Sequence, residues 1–343
     1  MNQDFITGNI NTVFGPVPQV AAVWSASDVW QTIKVRWNLG RMNYTVDPGL
    51  YAVGQPDGDS NIFVSANFKL SFDHVRKALN GLNAWILVID TKGVNVWCAA
   101  GKGTFGTKEI IDRIRIHALL NIVNHRNIIV PQLGAPGISA HEIKEKSGFK
   151  VIFGPVRAED IKAFVASGKK ATAEMRKVEF PLWERMKLIP VEITYGKYYM
   201  LLIPALFFIL AGLNLHGYSV DRAWEHGGRA VINLLAAYVS GCVLTPILLP
   251  WIPFKRFSLK GLLIGWLFAT LLLFCNTLGT NIFEIISWYL IMGAISSFMA
   301  MNFTGSSTFT SLSGVQKEMK LALPMQIAAA ALGLIGWIIT LFI

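Results

Sequence analysis

Five apolar stretches in the second half constrain this chain more than any other feature. They run roughly Tyr198–Leu215, Ala230–Trp251, Leu259–Cys275, Ile282–Met301 and Leu323–Ile343. Each approaches the ~20 residues that cross a bilayer as a helix. In hydrocarbon only a helix or a closed barrel satisfies its own backbone. The whole chain has 343 residues and is 53% hydrophobic, with a mean hydropathy of +0.45. The excess is gathered after residue 197, so these stretches predict an all-α transmembrane domain of five helices rather than one large soluble core. Lys255, Arg256 and Lys260 lie around the second-to-third connection, and Lys317 and Lys320 lie before the fifth stretch. The segment Asn276–Asn281 has no Lys or Arg. The positive-inside rule then predicts a multi-pass protein of the cell's inner (cytoplasmic) membrane, with the first domain cytoplasmic and the C-terminus outside. The only acidic residue in a span is Glu284, near an end, so the spans read as an anchor rather than an ion path. Cys242 and Cys275 fall within spans and read as small helix-facing residues, with soft-metal binding as the minority alternative. Gly241, Pro246 and Pro250 predict a kinked second span.

The net charge of +10 would, in a soluble chain, suggest nucleic acid as a partner. Here the basic residues are spread through the first domain and gathered in loops between spans. The lipid bilayer and topology account for them, and no nucleic-acid partner is expected. Three cysteines, two of them in apolar spans, give no disulfide framework and fit a reducing compartment. The N-terminus, with Asp4 and no early apolar core, does not read as a signal peptide.

The first half alternates strand and helix patterns. Residues 1–50 read as an irregular lead-in, with a short strand or hairpin between Val20 and Trp37. Strands are expected at Asn61–Ala66, Trp85–Ile89, Asn127–Val130 and Lys150–Phe153. Helices are expected at Ser71–Leu82, Lys108–Leu120, Ser139–Lys146 and Asp160–Ser167. Ser139 and Glu142 form a capping-box pattern. Such alternation implies an α/β domain, Rossmann-like, with a parallel sheet between helices. The expected division is residues 1–167 (core 60–167), a basic linker 168–197 in which Glu174–Phe180 adds an edge strand, and the spans 198–343. Ligands bind such sheets at the carboxyl ends of the strands. The loops expected there are Asn67-Phe68, the cysteine-bearing loop after Ile89, Gln132–Gly137 and Gly154–Arg157.

The cysteine loop carries Asn95-Val96-Trp97-Cys98-Ala99-Ala100-Gly101-Lys102, followed by Gly103-Thr104-Phe105-Gly106-Thr107. A phosphate loop would need Gly five residues before Gly101 and Ser or Thr after Lys102, and the chain has Val96 and Gly103 there. A Cys/His pair with His117 or His141 stays open, as does the bland reading of Cys98 as a small buried hydrophobe. The glycines favour close approach of a ligand, and a helix start favours the metal-binding thiolate. No second Cys or His lies at zinc spacing. A lone thiolate suits a metal already held by a macrocycle.

The octet resembles the motif Asn-Val/Ile-Trp-Cys-Ala-Ala/Ser-Gly-Lys of the membrane-bound corrinoid protein of mercury methylation, and all eight positions match. The domain around it is similar to the corrinoid domain of the acetyl-CoA-pathway corrinoid iron–sulfur protein. The resemblance implies a cobalamin or related corrinoid, base-off, with the Cys98 thiolate as lower axial ligand to cobalt. It implies transfer of a methyl group to Hg(II), the substrate, to form methylmercury, with Cys98 catalytic. Trp97, Ala99 and Ala100 would shape the lower face of the corrin, and Lys102 would meet a propionamide or phosphate. Asn67, Asn95, Val96, Gly101, Gly103, Thr104, Phe105, Gln132, Gly134, Ala135, Pro136, Gly137 and Gly154 complete the implied cofactor site. None of the six histidines has the Asp-x-His-x-x-Gly context of the usual cobalt ligand. The implied partners are a ferredoxin-like protein with two [4Fe–4S] clusters as electron donor and a methyltetrahydrofolate-linked methyl donor. Two alternatives stand beside this: a methyl carrier for acetyl-CoA-type one-carbon metabolism, and a non-catalytic membrane-anchored binding module.

Overall fold

The computed structural model describes residues 4–303 and 312–343. They form two compact units, one of residues 1–35 and 39–178 and the other of 36–38 and 179–343. The break after Val178 falls inside the stretch read as a basic linker.

The first unit is built on a seven-stranded sheet in the order β1-β2-β3-β5-β4-β6-β7. The strands are β1 Ile6–Thr12, β2 Gly15–Val20, β3 Gly49–Val53, β4 Asn61–Ala66, β5 Ala84–Ile89, β6 Asn127–Val130 and β7 Lys150–Phe153. The helices that concern the site are α1 Ala26–Arg36, α2 Lys69–Ala78, α3 Val96–Lys102, α4 Thr107–Ile116, α5 Ala140–Ser147 and α6 Ile161–Ala166. β5, β4, β6 and β7 run parallel, in the register Asn61↔Ala84 through Ala66↔Ile89 for the central pair. Alternation along β4 separates two cores. Ile62, Val64 and Ala66 face Phe105, Ile110 and Ile143, whereas Phe63 faces Phe72 and Phe164. β5 is fully buried along its length, which is why it reads as one apolar run.

The expected parallel sheet is a mixed, mostly parallel one. β3 pairs antiparallel with β5, and β1 and β2 form an antiparallel hairpin whose second strand meets β3. The residues expected to be irregular therefore extend the sheet. The hairpin turns at Gly15, whose φ of 113° suits glycine. α1 occupies the stretch where a strand or hairpin was expected. Ser25 and Asp28 cap it reciprocally: the Ser25 amide donates to Asp28 Oδ2 at 2.9 Å and the Asp28 amide donates to Ser25 Oγ at 3.2 Å. The expected edge strand at Glu174–Phe180 contains instead a short helix, Ala173–Arg176.

α1, α2 and the hairpin are joined by a buried ion cluster. Arg76 binds Asp28 at 2.6 Å, Asp73 at 2.8 Å and the Ala21 carbonyl at 2.6 Å. Lys69 binds Asp73 at 2.8 Å and Asp28 at 3.3 Å. The two cations thus share the two carboxylates, as buried charges require. Burial alone would raise the Asp28 carboxyl, but hydrogen bonds from Ser25 and Arg76 hold it at about 2.

Among the described residues, the second unit has four helices long and apolar enough to cross a membrane: Val220–Leu248, Phe257–Phe274, Ile282–Asn302 and Gly314–Thr340. A fifth candidate is a bent pair, Leu182–Tyr195 and Lys197–Leu210, with a 55° break at Gly196. The first expected span is therefore shorter than predicted and continues backwards into the bent partner. A small hairpin, Leu213–Asn214 with Gly217–Tyr218, follows it. The second span begins ten residues earlier than expected and carries π turns at Ala223–Gly227 and Ser240–Leu244. Pro246 explains the later turn, since it removes a backbone donor and crowds the preceding turn. Glu284 is a cap, accepting from the Thr280 amide at 2.8 Å. Helices meet closely at Ser296, where added Cβ atoms at Gly241 and Gly261 would lie 2.6 and 2.4 Å from the Ser296 carbonyl oxygen. Small residues at such crossings let apolar helices pack without a hydrophobic drive.

Asp28→Asn should destabilise the full chain by about 3 kcal/mol, because a buried cation pair loses one counter-charge. The folded-state carboxyl is depressed, so its stabilisation is present above the ordinary carboxylate range near pH 4. It is lost as pH falls towards 2. Denaturant unfolding in detergent across pH 2–5 should show that acid lability in the parent and a smaller one in the variant.

Candidate functional site

The parallel strands direct their carboxyl ends to one edge of the sheet. The chain goes from β4 outward to β5, then returns past β4 to β6, so the direction of winding reverses between β4 and β6. A crevice at such a reversal is where open α/β sheets bind ligands. Asn67 follows β4, the octet follows β5, the turn Gln132–Gly137 follows β6 and Gly154 follows β7.

The octet, expected as a loop, is the short helix α3. Asn95 is its N-cap: Asn95 Oδ1 accepts the Cys98 amide at 2.9 Å. Gly103, at φ 79°, closes it, and the Thr104 and Phe105 amides both return to the Ala99 carbonyl. Asparagine at the cap and two alanines inside supply the local preference for this turn of helix. The helix is amphipathic on a small scale. Val96, Ala99 and Ala100 are buried in the core against the sheet, and Phe105 is fully enclosed beneath. Trp97 and Cys98 are partly exposed, and Gly101 and Lys102 are exposed. Cys98, Gly101 and Lys102, spaced three and four residues apart, share the outward strip. An added Cβ at Gly101 would meet no atom within 4 Å, so open space lies beside this strip. Glycine within a helix costs about 1 kcal/mol against alanine, and nothing in the chain's own packing requires it here.

The glycines of the β6 turn have a different reason. An added Cβ at Gly134 would lie 2.5 Å from the Phe105 ring, and one at Gly137 would lie 2.2 Å from the Phe105 carbonyl and 3.0 Å from Ala100 Cα. They let the turn seat directly on α3. Gly154 similarly abuts Ile129, with 3.0 Å to an added Cβ. Ala135 is half-buried, Pro136 is exposed and Thr104 is half-buried. Gln132 Oε1 is buried without a hydrogen-bond partner among the described residues, an acceptor in the turn that adjoins the cysteine helix.

Asn67 is buried, and its amide is committed to the protein. Its Oδ1 accepts the Thr91 amide at 3.0 Å and the Gly93 amide at 3.0 Å, and lies 2.8 Å from the Thr91 hydroxyl. Its Nδ2 donates to Asp90 at 3.3 Å. The Thr91 hydroxyl also lies 2.6 Å from the Val94 carbonyl. The loop so gathered has Lys92 and Gly93 in left-handed conformation and leads straight into the Asn95 cap. A second tie comes from α4, where Glu109 accepts the Asp90 amide at 2.9 Å and Arg113 at 2.7 Å. Burial pushes the Asp90 carboxyl up, but the Lys92 ammonium and amide outweigh it and hold it below the usual range. Thr91, Asp90 and Glu109 were not foreseen from sequence, because each acts through partners 19 or more residues away.

The two histidines weighed for a pair with Cys98 lie elsewhere. His117 ends α4 and packs on Gly49, with Nε2 buried and without a hydrogen-bond partner among the described residues; burial and then Arg113 lower its pKa. His141 is exposed in the first turn of α5. Among the described residues, no group of three or more His, Cys, Asp or Glu side chains is placed to hold a metal ion.

Residues 29–165 match the family described as CO dehydrogenase/acetyl-CoA synthase delta subunit. The chain is 32% identical over 142 residues to the acetyl-CoA decarbonylase/synthase complex subunit gamma of Archaeoglobus fulgidus, an alignment covering 40% of this chain and 30% of the relative. It is 32% identical over 120 residues to the gamma 2 subunit of Methanosarcina thermophila, covering 34% and 25%. It is 29% identical over 143 residues to the gamma subunit of Methanocaldococcus jannaschii, covering 39% and 29%. The chain thus spans less than a third of each of these relatives. The similarity supports a relation between the α/β unit and the acetyl-CoA-pathway proteins.

Asn67→Ala would strip a buried acceptor from the Thr91 and Gly93 amides, for an expected loss of about 3 kcal/mol. Amide hydrogen exchange from Thr91 to Cys98 should accelerate at least about tenfold. Gly137→Ala should cost about 2 kcal/mol or more by forcing the β6 turn off α3, seen as a lower denaturant midpoint.

Proposed function

We propose that this chain is a membrane-anchored, corrinoid-dependent methyl-transfer protein in which the Cys98 thiolate would hold the cobalt. The observation that carries the proposal is the outward strip of α3, where a partly exposed thiol sits beside the open space at Gly101. The similarity of residues 29–165 to acetyl-CoA decarbonylase/synthase subunits supports a corrinoid one-carbon carrier.

The residues present fit such a group. A corrin is broad, flat and fringed with amides, and Gly101 removes the side chain that would hold it off the sulfur. The unpartnered Gln132 Oε1 is an acceptor suited to a fringe amide, and the exposed Lys102 to a propionamide or phosphate. When bound, the corrinoid would supply the cobalt that carries a methyl group, and Cys98 would offer that cobalt a soft, strongly donating thiolate. The chain's own residues do the positioning. Asn95 holds the Cys98 amide, so the sulfur stays on the outward strip. Asn67 and Thr91 fix the loop before it. Val96, Ala99, Ala100 and Phe105 support α3 from within, and Gly134, Ala135, Pro136 and Gly137 form the adjoining turn. Trp97, Gly103, Thr104 and Gly154 complete the edge on which the ring would lie.

For the acceptor we favour Hg(II), giving methylmercury, because all eight octet positions match the mercury-methylation motif and apolar helices follow the α/β unit. The second reading, a carrier to a carbon acceptor, is favoured by the named relatives themselves. Either cycle needs outside partners. The chain's three cysteines include no Cys-x-x-Cys, so electrons would come from a ferredoxin-like protein with two [4Fe–4S] clusters. The methyl group would come from a methyltetrahydrofolate-linked donor. The charge distribution supports a cytoplasmic side of the inner membrane for the α/β unit.

Protein reconstituted anaerobically with cobalamin should show a corrin absorption spectrum that shifts in Cys98→Ala, with methyl transfer reduced by about a hundredfold or more. An unshifted spectrum would remove the thiolate ligand. Methyl release to Hg(II) at a rate no greater than to a carbon acceptor would leave the carrier reading instead.

A further inference from the structure

Arg185 lies in the helix Leu182–Met186 of the second unit and is 3% exposed. Its Nε and Nη1 atoms are buried with no hydrogen-bond acceptor among the described residues. A guanidinium keeps its proton at any ordinary pH, so this is a full buried charge with unmet donors. Its charged head lies 5.8 Å from the centroid of the Trp251 ring. The ring face attracts a cation but accepts no strong hydrogen bond.

A neighbouring cation shows how such a charge is ordinarily settled. Lys260, also buried, donates to the Leu249 carbonyl and, at 2.9 Å, to that of Ile252. Lys260 and Arg185 thus both reach the turn at 249–252, and only the lysine has its acceptors. Carboxylates nearby in sequence or space are otherwise engaged: Glu184 pairs with Lys187 at 2.6 Å, and Glu318 accepts the Ser258 amide at 2.6 Å. Lys255 and Arg256 are exposed in the loop that follows. The rim is apolar, with Trp251 68% and Trp183 63% exposed, beside exposed Leu182, Met186 and Phe254. Exposed tryptophans with basic residues at the end of apolar helices are the composition of a membrane–water interface.

We propose that Arg185 anchors a site for the phosphate of an anionic lipid headgroup, with Lys255 and Arg256 at its mouth and the acyl chains along the tryptophan rim. Phosphate oxygens supply the acceptors that the guanidinium lacks, and planar guanidinium suits them better than ammonium does. The apolar rim favours a lipid over a soluble phosphate. The inference rests on the membrane-spanning reading of the second unit and is independent of the corrinoid.

The test uses the full chain, delipidated in detergent, titrated with phosphatidylglycerol, phosphatidylcholine or inorganic phosphate, with thermal unfolding and native mass spectrometry as readouts. Phosphatidylglycerol should bind about tenfold or more tighter than phosphatidylcholine, and inorganic phosphate should give no shift at millimolar concentration. Arg185→Gln should reduce that preference to within about threefold, while Lys255→Gln should change it less. An unchanged preference in Arg185→Gln would overturn the proposal, and equal stabilisation by inorganic phosphate would overturn the lipid as occupant. If Arg185→Gln does not fold, Arg185→Lys decides, since unaltered affinity with ammonium in place of guanidinium also overturns it. Fractionation of the parent chain into the aqueous phase without detergent would instead refute the membrane reading itself.

Discussion

The side-chain oxygen of Asn67 gathers the loop that carries the cysteine helix. It takes the Thr91 and Gly93 amides from a chain segment more than twenty residues away, at the edge where the winding of the sheet reverses. Two consecutive left-handed residues, Lys92 and Gly93, then turn the chain into the Asn95 cap. A seven-residue helix has little stability of its own. Its position is set by this anchor at one end and by Gly134 and Gly137 packed against its inner side. The sulfur of Cys98 inherits its direction from those contacts.

The same residue type does opposite work in neighbouring positions. Gly134 and Gly137 are filled against Phe105 and Ala100, so they serve internal packing. Gly101 faces open space, so it leaves room for something outside the chain. Only the pair of observations separates a ligand-facing glycine from a packing one. Ala99 and Ala100 divide from Trp97 and Cys98 in the same way, with the alanines inward and the cysteine strip outward.

In the second unit, apolar helices approach one another through small residues at Ser296, Gly241 and Gly261. Its buried polar groups are mostly paired with backbone, as with Lys260 on the turn at 249–252 and Glu284 on the cap of its own helix. Arg185 departs from that pattern, which is why it points to an outside partner. The cysteine helix and this cation belong to different units of the chain.

A reading of the residues in order specifies the four parallel strands, the octet with Cys98 at their carboxyl edge, and the apolar character of the stretches after the basic segment. These depend on local runs, caps and period, which a chain displays along its length. It missed the hairpin at 6–20, the helix at 26–36 behind its Ser25–Asp28 box, and the antiparallel β3 that makes the sheet mixed. Those short segments acquire their identity from strands and helices far off in sequence. It also rendered α3 as a loop, and it did not show that Asn67 ties the preceding loop. Which way each octet side chain points, which glycines are filled and that Arg185 lacks acceptors among the described residues emerge once the chain is folded. These are properties of atoms brought together from distant positions, and the order of residues along the chain does not contain their distances.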